Sequence, residues 1–270
     1  MHSIDAVSAA PRALAWLTST AQPRVLNLFD QACNLVNERN EVLSIVAEKI
    51  GNGPFSLVVA ELPDLSWTTK VSIPPGQIVL GELSIDCQRA QLWNPRPDWD
   101  GLHKSVEVVI AQTAAVEVEA PHLPQSLIVD LAAAVSTPDP VRAARVAVQL
   151  AGLGPGLTPA GDDFLMGAMH AVWILHPVEP SAALCGEITE AALPRTTTLS
   201  AAWLRAAAAG EASIRWHSLF AALVAAHSAQ LSNAIEQILA TGETSGADAL
   251  CGFIQTLRGR SQNPGPSTGQ

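Results

Sequence analysis

The chain has 270 residues, of which 48% are hydrophobic and 15% charged. A chain of this length forms one large domain or two small ones and buries about three quarters of its unfolded surface, so folding requires neither disulfides nor metal. There are 15 Lys and Arg against 25 Asp and Glu, a net charge of −10, which excludes a broad basic field for nucleic acid or an anionic membrane but leaves room for a local small-anion site.

Tyr is absent and aromatics total 4%, which argues against stacking on bases. Cys33, Cys87, Cys185 and Cys251 form no CxxC pair and read as reduced, buried thiols. Met1 to Gln22 lacks a basic segment followed by a long apolar core. The longest apolar stretch, Phe164 to Leu175, is interrupted by His170 and falls short of the roughly 20 residues that span a bilayer. Neither a signal peptide nor a membrane span is expected, and the chain reads as cytoplasmic.

The N-terminal segment, residues 1–24, is ambiguous, with Pro11 to Leu17 as a candidate short helix. Across residues 25–124 short apolar runs alternate with turn residues. Strands are predicted over Val42 to Val46, Phe55 to Val59, Trp67 to Ile73, Gln77 to Leu80 and Leu83 to Cys87, with Val106 to Ile110 and Ala115 to Val118 added as β-branched runs. Strong turn signals, such as Gly51-Asn52-Gly53-Pro54 and Pro74-Pro75-Gly76, separate them. This pattern suggests a β-rich barrel or sandwich-like domain.

Residues 125–260 are rich in Ala and Leu and read as an all-helical domain. Helices are predicted over Pro140 to Leu150, Asp162 to Ile174, Ala183 to Ala192, Thr196 to Ala209 and Ser245 to Leu257, with one or two more between Ser218 and Ala240. The tail, residues 261–270, reads as disordered from its Pro, Gly, Ser and Gln content. The expected fold class is therefore α+β, strands first and helices after.

The most informative segment is Gly152-Leu153-Gly154-Pro155-Gly156-Leu157-Thr158-Pro159-Ala160-Gly161-Asp162-Asp163. Its glycines permit positive φ and close backbone approach, and its prolines then fix the loop. Thr158 before Pro159 reads as an N-cap with Pro at the first helical position. The helix that follows would offer free N–H groups to a phosphate or carboxylate. Asp162 and Asp163 could cap that helix, orient a substrate amide or bind Mg²⁺. An ordinary helix–helix turn with acidic residues in the first turn is the plain alternative.

A second segment echoes the first. Gly161-x-Asp163-x-Leu165-x-Gly167 recurs as Gly246-x-Asp248-x-Leu250-x-Gly252, 85 residues on. Ser245 and Asp248 have capping-box spacing. Two such helix openings could face a common pocket with Asp163 and Asp248 as partners, or could be two independently capped helices. The third segment, Arg195-Thr196-Thr197-Thr198-Leu199-Ser200, sets a guanidinium beside hydroxyls at a helix start. That is an anion clamp, or a capped helix with a solvated Arg. His170 lies on the face of Asp163, but a core histidine is the simpler reading. No Walker A, G-x-S-x-G, H-E-x-x-H or Rossmann fingerprint occurs.

Gly152 to Gly167 (GLGPGLTPAGDDFLMG), Arg195 to Ser200 (RTTTLS) with Gly210-Glu211, and Gly246 to Gly252 (GADALCG) resemble the formerly uncharacterised AllH-type family. Asn34 to Val46 and Gly53-Pro54-Phe55 resemble its β-rich region. The resemblance covers roughly residues 25 to 258. It implies a subunit of an oxamate carbamoyltransferase in allantoin and purine degradation, with partner subunits. The implied reaction converts oxalurate and phosphate to oxamate and carbamoyl phosphate.

On that reading the ligand is a small anion: carbamoyl phosphate, phosphate, oxamate or oxalurate. Asp163, Asp248 and Arg195 are the candidate catalytic residues. Gly154, Gly156, Thr158, Gly161, Asp162, Thr196, Thr197, Ser245 and Gly246 are the candidate substrate-binding residues. No cofactor or metal is called for, Mg²⁺ at Asp162 and Asp163 remaining the open alternative, and no nucleic acid or membrane partner is expected. A non-catalytic small-anion-binding or assembly subunit is the second reading.

Overall fold

The computed structural model describes residues 2–262. The chain divides into two compact units, residues 1–95 and 96–270.

The first unit is a nearly closed, barrel-like sheet. Its elements are β1 (His2–Ala9), α1 (Pro11–Ser19), β2 (Arg24–Phe29), β3 (Ala32–Val36), β4 (Val42–Ala47), β5 (Ser56–Val59), β6 (Val71–Ser72), β7 (Gln77–Leu80), β8 (Leu83–Asp86) and β9 (Gln91–Leu92). The strand order is β2-β3-β4-β5-β1-β8-β7-β6, with β9 also on β1. β1 closes this arrangement by changing partners along its length. Its first half runs parallel to β8, from His2 beside Leu83 to Asp5 beside Asp86. Its second half pairs antiparallel with β5 after a register shift between Ala6 and Ser8. Such an irregularity bends a strand and lets it serve two sheet faces. Leu35, Leu43, Ile45, Leu57, Ile78 and Ile85 are fully buried inside, with Trp16 of α1 over them. The Trp16 indole N–H donates to the Glu41 carbonyl at 2.9 Å.

The second unit is helical. It contains α2 (Trp99–Lys104), α3 (Val106–Thr113), α4 (Gln125–Ser136), α5 (Pro140–Leu150), α6 (Ala160–Leu175), α7 (Val178–Ala192), a 3₁₀ turn (Leu193–Arg195), α8 (Thr198–Ala208), α9 (Ile214–Ala225), α10 (Ser228–Leu239) and α11 (Ser245–Gln262). α6 is the central helix: every residue but Met166 is buried. A helix apolar on all sides must be enclosed on all sides. α11 lies along it. Trp99, Trp173, Trp216, Phe220 and Phe253 form one aromatic cluster around His170. No helix among the described residues is long and apolar enough to cross a membrane.

The strands-then-helices architecture matches the sequence reading, with corrections. Val106 to Ile110 belongs to helix α3, and residues 115–118 have no regular structure. Val106, Val109 and Ile110 pack on the helical core at spacings of three and four, so burial on one helix face overrides their β preference. The predicted strand over Trp67 to Ile73 shrinks to β6, and Trp67 is 63% exposed. Strands β1, β2 and β3 and helices α2 and α4 lacked a clear signal. The candidate helix at Pro11 is α1. All four cysteines are buried and unbridged, and burial pushes the Cys251 thiol up to about 11. The expected disordered tail, 261–270, lies outside the residues whose structure is described in full.

Candidate functional site

The long glycine loop joins α5 to α6, and the three motifs converge on it. Asp162 braces it from inside: its Oδ1 accepts from the Gly152 N–H at 2.9 Å, and its Oδ2 accepts from the Thr196 hydroxyl. Thr197 caps α8, accepting from the Ser200 N–H at 3.1 Å, while its own hydroxyl donates to the Leu157 carbonyl at 2.7 Å. The hydroxyl protons of Thr196 and Thr197 are thus spent on the loop. These threonines position it, and are not open donors for an anion. Asp162 is likewise committed, so it is not an open carboxylate beside Asp163.

Gly152 has φ +74°, and a Cβ there would strike the Arg195 carbonyl oxygen. That contact needs glycine and sets the Arg195 backbone against the loop. The Arg195 side chain is exposed and forms no hydrogen bond or ion pair with the other described residues. Gly154 and Gly156 have φ +99° and +102° and lie in the exposed stretch between Leu153 and Thr158.

The expected free N–H groups at the helix starts are partly taken. The Gly161 N–H donates to the Leu153 carbonyl, and the Gly246 N–H to the Thr241 carbonyl, each at 2.9 Å. Nor does Thr158 cap α6. Pro159 occupies the N-cap position and provides no side-chain cap. Thr158 turns instead toward α11, where its hydroxyl lies 2.8 Å from that of Ser245. Two helix starts that are distant in sequence therefore meet.

The meeting is symmetric. A Cβ on Gly167 would overlap the carbonyl oxygen of Ala249, the residue after Asp248; a Cβ on Gly252 would overlap that of Phe164, the residue after Asp163. Gly161 sits on the Leu150 carbonyl at the end of α5, and Gly246 on the Ile238 carbonyl at the end of α10. Exchanging the two copies of Gly-x-Asp-x-Leu-x-Gly preserves every one of these contacts. The openings of α6 and α11 are therefore equivalent in their contacts. They differ in the loop before the helix, residues 151–159 in the first copy and the shorter 240–244 in the second.

Asp163 and Asp248 are 6% and 1% exposed, and the Oδ2 atom of each is buried without a hydrogen-bond partner among the described residues. Burial pushes the Asp163 carboxyl up to about 8, against the opposing effect of the Ser245 and Thr158 hydroxyls, with the charges of Asp248 and Asp162 raising it further. Asp248 is also raised by burial, with the Thr244 hydroxyl and the His122 charge opposing.

Thr244 and Ser200 were missed as neighbours of the carboxylates. The Thr244 carbonyl accepts from the Asp248 N–H at 2.9 Å, one residue before Ser245, where the capping-box reading placed the cap. Ser200 is buried beside Asp162, and its hydroxyl favours the ionised form of that carboxyl. A cleft of about 430 Å³ runs beside α11, lined by Glu119, Ala120, Cys251, Gln255 and Arg258 among others. By helical spacing Cys251, Gln255 and Arg258 continue the stripe that begins at Asp248.

No solved structure matches the chain. Residues 5–92 match the AllH family N-terminal domain. Residues 150–257, the stretch holding all three motifs, match the family model described as oxamate carbamoyltransferase subunit AllH. The two matches span well over half of the sequence, and the chain belongs to the AllH family.

Proposed function

We propose that this chain is a subunit of an oxamate carbamoyltransferase and carries a substrate site where the glycine loop, Arg195 and the two helix starts meet. In the proposed reaction an oxygen of hydrogen phosphate attacks the terminal carbamoyl carbon of oxalurate. The bond from that carbon to the inner nitrogen breaks, and the phosphate's proton ends on the nitrogen. The products are carbamoyl phosphate and oxamate, and atoms and charge balance.

These ligands are small anions bearing an amide, and the site divides in the same way. Arg195 and the N–H groups of Gly154 and Gly156 lie at the exposed side and suit the anionic end. Backbone N–H groups in such a loop also suit the oxyanion that develops as the carbamoyl carbon becomes tetrahedral. Asp163 and Asp248 are buried and suit the amide end. The observation that carries this reading is the pair of buried carboxyls with unpartnered oxygens at the junction of two helix starts, in a family whose described member is an oxamate carbamoyltransferase subunit.

Calorimetry of the purified chain with carbamoyl phosphate, phosphate, oxamate and oxalurate tests this. Binding is expected in the parent, weakened at least about tenfold in Arg195→Ala and Asp163→Ala with folds intact by circular dichroism. Unchanged affinity in both variants overturns the site. A second reading, an assembly subunit without its own substrate site, draws on Leu157, which is 47% exposed on the loop and anchored through Thr197. It predicts no binding by the chain alone and loss of complex assembly in Leu157→Asp.

A further inference from the structure

The equivalent contacts of the two helix openings have a chemical consequence for Asp163 and Asp248. Each sits at the same place in its copy, two residues after the glycine that seats the helix on its predecessor and four before the glycine at the crossing. Each leaves Oδ2 buried and unpartnered. A buried polar atom without a partner costs about 1–3 kcal/mol, so two of them at equivalent positions call for a ligand with complementary groups.

Their surroundings differ. Asp163 feels the charges of Asp162, the residue before it, and of Asp248 on α11, with only the hydroxyls of Thr158 and Ser245 to favour its anion. Asp248 has the Thr244 hydroxyl and the imidazole of His122 nearby, with the buried, neutral thiol of Cys251 one turn on. No lysine or arginine enters among the groups that shift either carboxyl. Two neighbouring carboxyls cannot both ionise readily, and Asp163, raised by burial and by the charges of Asp248 and Asp162, keeps the proton. One O–H donor and one carboxylate acceptor then stand at the two copies.

We infer that Asp163 and Asp248 together form a carboxamide receptor, which takes a terminal CO–NH₂ group and rejects the corresponding carboxylate. Asp163 donates to the carbonyl oxygen and Asp248 accepts from the NH₂. A carboxylate in the same place has no hydrogen to give Asp248 and meets its charge. The receptor deepens the proposed function by naming which end of the substrate the buried pair reads, and it rests on that placement of the site. It also gives the duplication a use: two copies of one helix opening supply both halves of a planar, two-ended group.

The test compares oxamate with oxalate, which differ only in NH₂ against O⁻, on the full chain by calorimetry from pH 6 to 9.5. Oxamate is expected to bind at least about tenfold tighter than oxalate at pH 7. Its affinity should fall about tenfold per pH unit once Asp163 ionises, above about pH 8. Asp163→Asn keeps a donor that cannot ionise, and its oxamate affinity should stay level to pH 9.5. Oxalate binding as tightly as oxamate, or an unaltered pH profile in Asp163→Asn, overturns the receptor and leaves the carbamoyltransfer reading standing. Failure of oxamate, oxalurate and carbamoyl phosphate alike to bind overturns both.

Discussion

The hydroxyl oxygens of Thr158 and Ser245 lie 2.8 Å apart although 87 residues separate them in the chain. That bond ties the start of α6 to the start of α11 directly above Asp163, and both hydroxyls favour the ionised form of that carboxyl. Ser245→Ala should therefore do two things. It should cost about 1 kcal/mol in urea unfolding. It should also raise the pH at which Asp163 ionises, read by NMR titration of the carboxyl carbon; an unmoved or lowered midpoint would show that the hydroxyl does not act on Asp163.

The helix crossing depends on two glycines. Gly167→Ala and Gly252→Ala each drive a methyl into a backbone carbonyl of the facing helix. Each is expected to destabilise by about 1–3 kcal/mol or more, and the double variant by less than the sum, because one displacement of α11 relieves both clashes. Gly186→Ala in α7 is the control. A Cβ there meets nothing within 4 Å, so the better helix propensity of Ala should leave it neutral or about 1 kcal/mol more stable. Chemical denaturation of the four variants decides this.

Asp162 holds the loop by accepting from Gly152 and Thr196. Asp162→Ala leaves the Gly152 N–H and the Thr196 hydroxyl without their acceptor. A loss of about 1–3 kcal/mol is expected, with faster amide exchange confined to residues 152–158. Exchange protection unchanged in that segment would exclude a bracing role.

Two buried groups give opposite pH dependences. His170 is enclosed by Trp216 at 4.8 Å, Phe220 at 5.9 Å and Trp99 at 6.2 Å between ring centroids, and its Nδ1 has no partner among the described residues. Burial, aided by the charge of His217, lowers its pKa from 6.5 to about 3. The unfolded chain then binds the extra proton, so the contribution of His170 is present above pH 6.5 and is lost as the pH falls from there toward 3. Asp163 works the other way. Its folded pKa of about 8 lies above the ordinary carboxyl value of 3.8, so its contribution is present below about pH 4 and is lost as the pH rises through 8. Urea midpoints are expected to fall on both sides of a maximum. Asp163→Asn should flatten the alkaline limb alone, and His170→Leu the acid limb alone; a variant that flattens the other limb assigns the titration elsewhere.

Much of this protein is legible in its residues. The strands at Gln77–Leu80 and Val42–Ala47 and the helices at Pro140–Leu150 and Ser245–Gln262 follow from alternation, turn residues and apolar spacing, because those signals act within a few residues. The repeated Gly-x-Asp-x-Leu-x-Gly is likewise visible, and so is the resemblance that its loops carry. Tertiary packing decided the rest. Val106 and its neighbours are β formers that became a helix because α3 needed an apolar stripe against the core. Thr158 has the chemistry of an N-cap, but Ser245 offered a partner that no local pattern reveals. Thr196 and Thr197 look like anion donors, yet their protons went to Asp162 and Leu157 once the loop closed on them. A hydroxyl or carboxyl announces what it can bond with; which partner comes within 3 Å depends on helix crossings set by glycines and carbonyls far apart in the chain.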